Sequence, residues 1–196
     1  MKPGRCRQIL VRFTDLIVQN MECFTRMTVV EIGIPVSTMV HGMVPRISGW
    51  THYYAGWAAK IEGLVTGTPP GNHFGYTVPE PYGVIGHIII WNAPMLSLAM
   101  KLPPSLAAGN TVLIKPAEFI PFISQLFVER ALEGGVSPGV INVLPGGVPA
   151  GAALVRRPCV DKIYRRAGQG GGGEIMRSAA APLKPLVFEL GGKSAT

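Results

Sequence analysis

A carboxylate, a glycine pair and a lysine stand together in the segment Glu189-Leu190-Gly191-Gly192-Lys193-Ser194. Glycine has no Cβ, so the backbone at a glycine pair lets a ligand approach closely. A carboxylate within reach of water can act as a general base. The same six residues are also compatible with an ordinary strand end and turn. The residues that the fold brings beside them must decide between the two interpretations.

A side-chain amide follows an apolar run earlier in the chain. Asn92 comes after residues 84–90 and directly before Ala93-Pro94. A buried amide donor there can stabilise a developing oxyanion, an effect of about 3–4 kcal/mol in the best-measured case. The alternative is an asparagine that caps the next helix, which is common.

A lysine and a carboxylate follow the next apolar run. Lys115 and Glu118 can hold the hydroxyls of a ribose from two sides. The alternative is a surface ion pair, which contributes little to stability.

The elements that must position these residues are strands alternating with short helices. Such alternation predicts a parallel sheet with right-handed crossovers, and ligands bind such sheets beyond the carboxyl ends of the strands. Asn92, Lys115, Glu118 and Glu189 all fall at predicted strand ends, and we expect Pro103-Pro104 to bend or end its helix. Strands are predicted over 84–90, 111–115, 140–144, 160–164 and 186–190, and helices over 94–106, 122–132, 150–155 and 174–180.

The first part of the chain has a helical pattern. Apolar residues at steps of three and four predict one helix over 5–30, and a second helical segment is predicted over 36–62, with its aromatic residues in core or interface packing. Gly, Pro and Thr predict a connecting loop over 63–82. The chain is therefore divided into an N-terminal helical segment with its connecting loop, 1–76, and a Rossmann-type core, 77–196.

A glycine run, residues 170–173, lies between the last two predicted strands. With Gly168 it matches G-x-G-x-x-G, but any glycine run does so, and the match is weak. Since glycine loses the most conformational freedom on ordering, we expect a floppy or disordered loop with weakened phosphate binding. Arg165 and Arg166 are alternative phosphate ligands.

Composition excludes several classes of function. The net charge is +7, but the basic residues are scattered and no nucleic-acid-binding motif is present, so no nucleic-acid partner is expected. The longest apolar stretch, 83–98, is broken by Asn92 and Pro94, so no membrane span is expected. Three cysteines without metal-ligand spacing predict neither a disulfide framework nor a metal site. A cytoplasmic location is predicted.

Four segments, in order along the chain, resemble the NAD(P)-dependent aldehyde dehydrogenase superfamily. The likeness runs from about Arg5 to Thr196 and covers less than half of a typical family member. The segments are Gly86-His87-Ile88-Ile89-Ile90-Trp91-Asn92-Ala93-Pro94, Leu106-Ala107-Ala108-Gly109-Asn110-Thr111-Val112-Leu113-Ile114-Lys115-Pro116-Ala117-Glu118, Pro138-Gly139-Val140-Ile141-Asn142-Val143-Leu144-Pro145-Gly146 and Glu189-Leu190-Gly191-Gly192-Lys193.

The resemblance implies a fold, an activity and a set of residue roles. The fold would be α/β, a Rossmann-type parallel sheet with helices, preceded by two N-terminal helices, in an incomplete aldehyde dehydrogenase fold. The activity would be oxidation of an aldehyde to a carboxylate with NAD as acceptor, in a homo-oligomer. Glu118 beside the 2′-hydroxyl of the adenosine ribose would repel a 2′-phosphate, so NAD is favoured over NADP. The implied roles are Asn92 as oxyanion donor, Glu189 as the base that activates water for thioester hydrolysis, Lys115 and Glu118 on the ribose, and Ile89, Trp91, Gly147, Gly168 and Leu190 along the cofactor.

The chain departs from the family pattern at two places. Ile90 and Ala93 flank Trp-Asn where the family has Pro and a bulky residue such as Phe, and residues 165–169 read Arg-Arg-Ala-Gly-Gln where the family has Phe-Thr-Gly-Ser-Thr. The family's nucleophilic cysteine lies beyond the Glu-Leu-Gly-Gly-Lys motif, so we expect no catalysis by this chain alone. A non-catalytic nucleotide-binding fragment and a partner-binding module remain as alternatives. With 47% hydrophobic and 15% charged residues, self-association is expected.

Overall fold

The computed structural model describes residues 2–67, 71 and 73–192, so Lys193 and Ser194 of the last motif lie outside the described residues. A five-stranded sheet has the order β5-β4-β3-β6-β7 with every neighbouring pair parallel, and a separate antiparallel pair joins β1 to β2. The strands are β1 Val65–Thr66, β2 Gly75–Tyr76, β3 Val84–Ile88, β4 Thr111–Lys115, β5 Ile141–Val143, β6 Lys162–Ala167 and β7 Leu186–Leu190.

The helices between the strands of the five-stranded sheet pack on the sheet, and the N-terminal helices pack on the first two of those helices. The long predicted helix over 5–30 is two helices, because the chain breaks at Asn20, whose amide donates to the Leu16 carbonyl over 2.8 Å. The second predicted segment ends at Trp57, before residue 62. The helices are α1 Pro3–Gln19, α2 Met21–Ile32, α3 Val36–Thr38, a π-helical turn Met39–Met43, α4 Val44–Trp57, α5 Pro94–Ala107, α6 Phe122–Glu133, α7 Val148–Arg156 and α8 Gln169–Ala180.

The buried apolar residues form two clusters. The larger joins the N-terminal helices with α5, α6 and strands β4 and β5, and its aromatic centre places the ring of Phe127 5.0 Å from Phe13 and 6.2 Å from Phe24. The smaller lies beneath α7 and α8 and includes Ile163 and Ile175. Helices therefore cover both faces, as a buried parallel sheet requires.

The structure differs from expectation in two helices: the prolines do not end α5, and the glycine run is not a loop. Pro103 and Pro104 lie inside α5, which continues to Ala107. Leu102 and Leu106, on either side of the prolines, are buried in the larger cluster, and this packing holds the last turn in spite of the lost backbone hydrogen bonds. The glycine run is also helical, since α8 begins at Gln169.

The aromatic residues of α4 do not line the core as a group. Its buried face is made by Val44, Ile47, Thr51 and Ala55, whereas Tyr53 and Trp57 are exposed. The aromatic spacing therefore does not mark the buried face of α4. Small and β-branched residues form that face and allow α4 to pack closely on α5.

Strand β7 is the last strand of the sheet, as expected for residues 186–190. Among the described residues, no helix is both long and apolar enough to cross a bilayer.

Candidate functional site

The predicted site residues meet at one edge of the sheet. Because the strands are parallel, the register aligns their carboxyl ends: Ile88 pairs with both Lys115 and Arg165, and Arg166 pairs with Glu189. Ile89 continues the pairing beyond β3, its amide donating to the Lys115 carbonyl over 2.9 Å.

Lys115 and Glu118 both lie against the start of α7. Lys115 is buried, with 8% of its surface exposed, and its Cε lies 4.0 Å from the position of a Cβ at Gly151. A Cβ at Gly147, the N-cap of α7, would lie 2.5 Å from Oε2 of Glu118. Glycine at 147 thus lets the carboxylate rest on the backbone, and the structure brings these three predicted residues together.

The charges around Lys115 oppose one another. Burial lowers the pKa of Lys115, the nearby Glu118 carboxylate raises it, and Arg165 lowers it; the net pKa is below the ordinary value of a lysine. A second cation therefore stands close to the predicted ribose site.

Trp91 and Asn92 lie in the turn between β3 and α5. Trp91 is 55% exposed, and its ring centroid is 6.3 Å from that of Phe119. Asn92 is exposed and does not cap α5, whose N-cap is Ala93. The alternative interpretation of Asn92 as a helix cap is therefore wrong, and its role as an oxyanion donor stays a prediction.

The alternation of β6 sends its two arginines to opposite faces. The Arg165 guanidinium lies on the first turn of α8, since a Cβ at Gly171 would be 2.6 Å from its Nη2. Its Nε is buried and makes no hydrogen bond to the described part of the chain. Arg166 points to the other face, where its Nε lies 3.5 Å from Oε2 of Glu189.

Gly168 and Leu190 flank the same helix. Gly168 is the N-cap of α8, and a Cβ added to it would meet open space. Leu190 covers the first turn, since a Cβ at Gly172 would lie 2.9 Å from its Cδ2. Gly168 and Leu190 therefore both lie beside the first turn of α8.

The Glu189 carboxylate is not free. Its Oε1 accepts a 2.7 Å hydrogen bond from the Tyr164 hydroxyl and lies 3.3 Å from Lys101 Nζ. Burial alone would raise the pKa of Glu189, but the Tyr164 hydrogen bond and the Lys101 and Arg166 charges outweigh it, so the pKa lies below its ordinary value.

Lys101 and Tyr164 were not found from the sequence. Lys101 is 2% exposed and donates to Ser97 Oγ over 2.6 Å, with Nζ 4.6 Å from the centroid of the Tyr164 ring. Burial lowers its pKa, and Glu189 partly offsets this. Lys101 is the only charged residue in the predicted helix 94–106, and that was the signal that could have identified it.

A buried histidine extends this polar group beneath the sheet. The Ser105 hydroxyl donates a hydrogen bond to the Lys101 carbonyl over 2.8 Å. His87 Nε2 must therefore donate to Ser105 Oγ, over 3.1 Å. Nδ1 of His87 is then an acceptor, buried without a partner among the described residues. Burial, followed by the Lys101 charge, lowers the pKa of His87 to about 3, so His87 is neutral.

The cysteines lie away from this edge. Cys6 is buried in α1, where its thiol contacts the Leu106 carbonyl at 3.4 Å. Cys159 precedes β6 at the amino end of the sheet and Cys23 is exposed on α2. A cavity of about 630 Å³ beside Cys6, Leu106 and Thr111 also lies at the amino edge, opposite to the edge where the candidate residues meet.

Comparison with known proteins gives one family. The model of the aldehyde dehydrogenase family matches residues 1–196. An aldehyde dehydrogenase of Alternaria alternata is 40% identical over 194 residues, which are 98% of this chain and 39% of the relative. Aldehyde dehydrogenase family 2 member B4, mitochondrial, of Arabidopsis thaliana is 40% identical over 95% of this chain and 35% of its own length. The chain thus spans less than two fifths of these curated relatives.

Solved structures agree with the fold. The NAD⁺ complex of an aldehyde dehydrogenase from Bacillus cereus superposes with a TM-score of 0.95 at 33% identity, over 99% of this chain and 40% of that one. PnpE in complex with nicotinamide adenine dinucleotide also gives a TM-score of 0.95, at 34% identity, over 100% of this chain and 40% of its own. The comparisons confirm the expected family and the expected α/β fold, of which this chain covers only part.

Proposed function

Because the chain belongs to the aldehyde dehydrogenase family, we propose that these residues form the cofactor-binding part of an enzyme that oxidises an aldehyde to a carboxylate with NAD. Two of the solved structures that the chain resembles hold NAD. The division into a helical segment, 1–76, and a Rossmann-type core, 77–196, belongs to this proposal, as does a cytoplasmic location.

The observation that carries the proposal is the arrangement of Lys115, Glu118 and Gly147. A cation and a carboxylate stand at the end of one strand and against the first turn of α7, with a glycine where a side chain would collide with the carboxylate. Such a cradle fits a ribose, whose two hydroxyls donate to a carboxylate and accept from an ammonium group. The Glu118 carboxylate would repel the 2′-phosphate of NADP.

Arg165 fits the pyrophosphate of the same cofactor. Its guanidinium lies at the N-terminus of α8, forms no ion pair with the described residues, and has a buried Nε without a partner. Helix N-termini attract phosphate groups, and an unpaired guanidinium beside one strengthens that attraction. Arg166 is engaged by Glu189, so Arg165 is the one of the two arginines that we assign to phosphate.

The remaining residues are assigned by their place at the carboxyl edge of the sheet. Ile89, Trp91, Gly168 and Leu190 would line the cofactor, and Asn92 would donate to an aldehyde oxygen that becomes negative. Bound NAD would supply the hydride acceptor. Glu189 would be the base of the reaction only if its carboxylate were released from Tyr164, Lys101 and Arg166.

Titration calorimetry with NAD, NADP and adenosine tests the proposal. We expect NAD to bind more tightly than NADP, and Glu118→Ala to weaken NAD binding by about tenfold or more, since a hydrogen bond to a charged group contributes about 1.5–3 kcal/mol. Arg165→Met should weaken NAD and leave adenosine unchanged. Glu80→Ala, an exposed carboxylate in a loop, is the matched control.

Two outcomes contradict the assignment. Equal or tighter binding of NADP would remove the role of Glu118 in cofactor choice. Binding of NAD that is the same in Glu118→Ala and Glu80→Ala would show that the ribose lies elsewhere.

A second candidate, nucleotide binding without turnover by this polypeptide, is favoured by the state of Glu189. Both oxygens of the carboxylate already face donors, and each cysteine lies away from it. The NAD titration and an assay of NADH production together separate binding from catalysis.

A further inference from the structure

Four side chains from three elements converge where β7 ends. Lys101 of α5, Tyr164 and Arg166 of β6, and Glu189 of β7 form a cluster in which Glu189 is the only acid; we call it the Glu189 cluster. We propose that Tyr164 is a positioning residue, which together with Lys101 and Arg166 holds Glu189 as a permanent anion and withholds it from proton transfer.

Both carboxylate oxygens of Glu189 already face donors. Oε1 receives the Tyr164 hydroxyl at 2.7 Å and faces Lys101 Nζ at 3.3 Å, while Oε2 faces Arg166 Nε at 3.5 Å. A general base must direct a lone pair at the proton that it abstracts. The donors that surround Glu189 compete for those lone pairs.

The fold fixes the positions of the donors that face Glu189. Tyr164 and Arg166 are two residues apart on β6, so they share one face of the sheet, and the register places Arg166 opposite Glu189. The Tyr164 ring is confined by Lys101 Nζ, 4.6 Å from its centroid, and by the His87 ring, 6.1 Å away. Little freedom remains for the hydroxyl to turn from Glu189.

The negative charge of Glu189 compensates the positive charge of buried Lys101. The ammonium group of Lys101 is buried. It faces Ser97 of its own helix, neutral His87 of β3, Tyr164 and Arg166 of β6, and Glu189 of β7. Glu189 is the only anion among them. Protonation of Glu189 would leave the buried ammonium group uncompensated, which is strongly unfavourable.

The pKa shifts of Tyr164 and Glu189 favour a protonated tyrosine and an ionised carboxylate. Burial and the Glu189 hydrogen bond raise the pKa of Tyr164, so its hydroxyl keeps the proton that it donates. The pKa of Glu189 lies below its ordinary value. The resulting stabilisation is present above the unfolded-state pKa of about 4.3 and is lost as the pH falls through the lower, folded-state value.

The inference goes beyond the proposed NAD site and does not depend on it. Arg166 stands where the family pattern has threonine, and Tyr164 makes the shortest contact to the carboxylate. Arg166 therefore belongs to this chain's own departure from the pattern. The cluster joins α5, β6 and β7 on the face of the sheet opposite to Arg165.

The test is a carboxyl ¹³C NMR titration of the glutamate-labelled protein, with Glu189→Gln to assign the resonance. In the wild-type protein we expect Glu189 to titrate below its ordinary pKa. Tyr164→Phe removes only the hydroxyl and should raise that pKa by about one unit, as expected for one lost hydrogen bond to the charged form. Tyr53→Phe, at an exposed tyrosine of α4, should leave it unchanged.

Two results overturn the proposal. A Glu189 pKa at or above the ordinary value in the wild-type protein overturns the proposal, whether or not Tyr164→Phe folds. An equal Glu189 pKa in the wild-type protein and folded Tyr164→Phe also overturns it. NAD affinity measured on the same samples reports on the proposed function separately, because Tyr164 does not face the Lys115 and Glu118 cradle.

Discussion

Helix α6 begins without a cap of its own, and we predict that its stability depends on a carboxylate 91 residues earlier. The N-cap, Pro121, provides no side-chain hydrogen bond. Glu31 of α2 instead accepts the amides of Phe122 and Ile123 at 2.8 and 3.0 Å. Glu31→Ala should therefore lower the free energy of unfolding by about 2 kcal/mol.

The magnitude follows from the two amides and their surroundings. Loss of one cap typically lowers stability by about 1 kcal/mol, and a hydrogen bond to a charged group contributes about 1.5–3 kcal/mol. Phe122 is exposed, so water replaces much of its bond, whereas Ile123 is buried. One largely lost bond and one largely replaced bond give the expected value of about 2 kcal/mol.

Urea unfolding followed by far-ultraviolet circular dichroism measures the change, at a protein concentration below that at which the chain self-associates. Glu22→Ala is the control on the same helix: its ion pair with Arg26 is 79% exposed at both side chains, so its loss should change stability by less than about 0.5 kcal/mol. Glu31→Gln keeps an acceptor oxygen and should fall between the two. Equal stability of Glu31→Ala and Glu22→Ala would refute the capping argument.

Three further predictions concern α7, catalysis and association. Lys184→Met should lower the free energy of unfolding by about 1–3 kcal/mol, since its ammonium group donates to the Val155 and Arg157 carbonyls at the end of α7; in urea unfolding, exposed Lys60→Met should have no effect. A polypeptide of these 196 residues should produce no NADH from aldehydes above a Glu189→Gln control, because covalent capture of an aldehyde needs a nucleophile at the site; steady production by the unmodified chain would contradict this. The same polypeptide should self-associate at micromolar concentration, because β7 is a sheet edge and Phe74, Tyr76 and Val78 are exposed; a single species of 20.9 kDa in sedimentation would show that the chain buries its own apolar surface.

The strands could be predicted because a buried parallel strand depends mainly on its own residues. The bounds of β4 and β7, 111–115 and 186–190, are those expected from their apolar β-branched and aromatic runs. Strand β6 begins later than expected, at Lys162. Val160 and Asp161, predicted as its start, lie in the turn instead, where the Asp161 carboxylate accepts the Val84 amide.

Helix ends depended on tertiary contacts that no local pattern contains. The prolines of α5 are tolerated because Leu102 and Leu106 pack in the core, and the glycines of α8 are helical because Ile175 and Ala179 anchor the helix to the smaller cluster. In both cases packing outweighs the intrinsic preference of the residues.

The site was predictable in position and not in its connections. Strand ends identified Lys115, Glu118 and Glu189, since topology alone brings such ends together. The state of Glu189 depends on Tyr164, which is 25 residues away on the neighbouring strand, and on Lys101, which lies on helix α5. Contacts of this kind depend on which face of a strand meets which helix, and that is set by the three-dimensional packing.

The start of α8 has a consequence for the affinity of ligand binding. Residues 170–173 are all glycine, and each disfavours the helix by about 0.8–1.0 kcal/mol relative to alanine, so this turn opens more often than the rest of the helix. A phosphate group that needs its amides binds only the closed fraction, and the apparent dissociation constant rises as that fraction falls. A Cβ at Gly170 would meet nothing within 4 Å; Gly170→Ala should therefore slow amide exchange in the turn and tighten binding without adding a single contact.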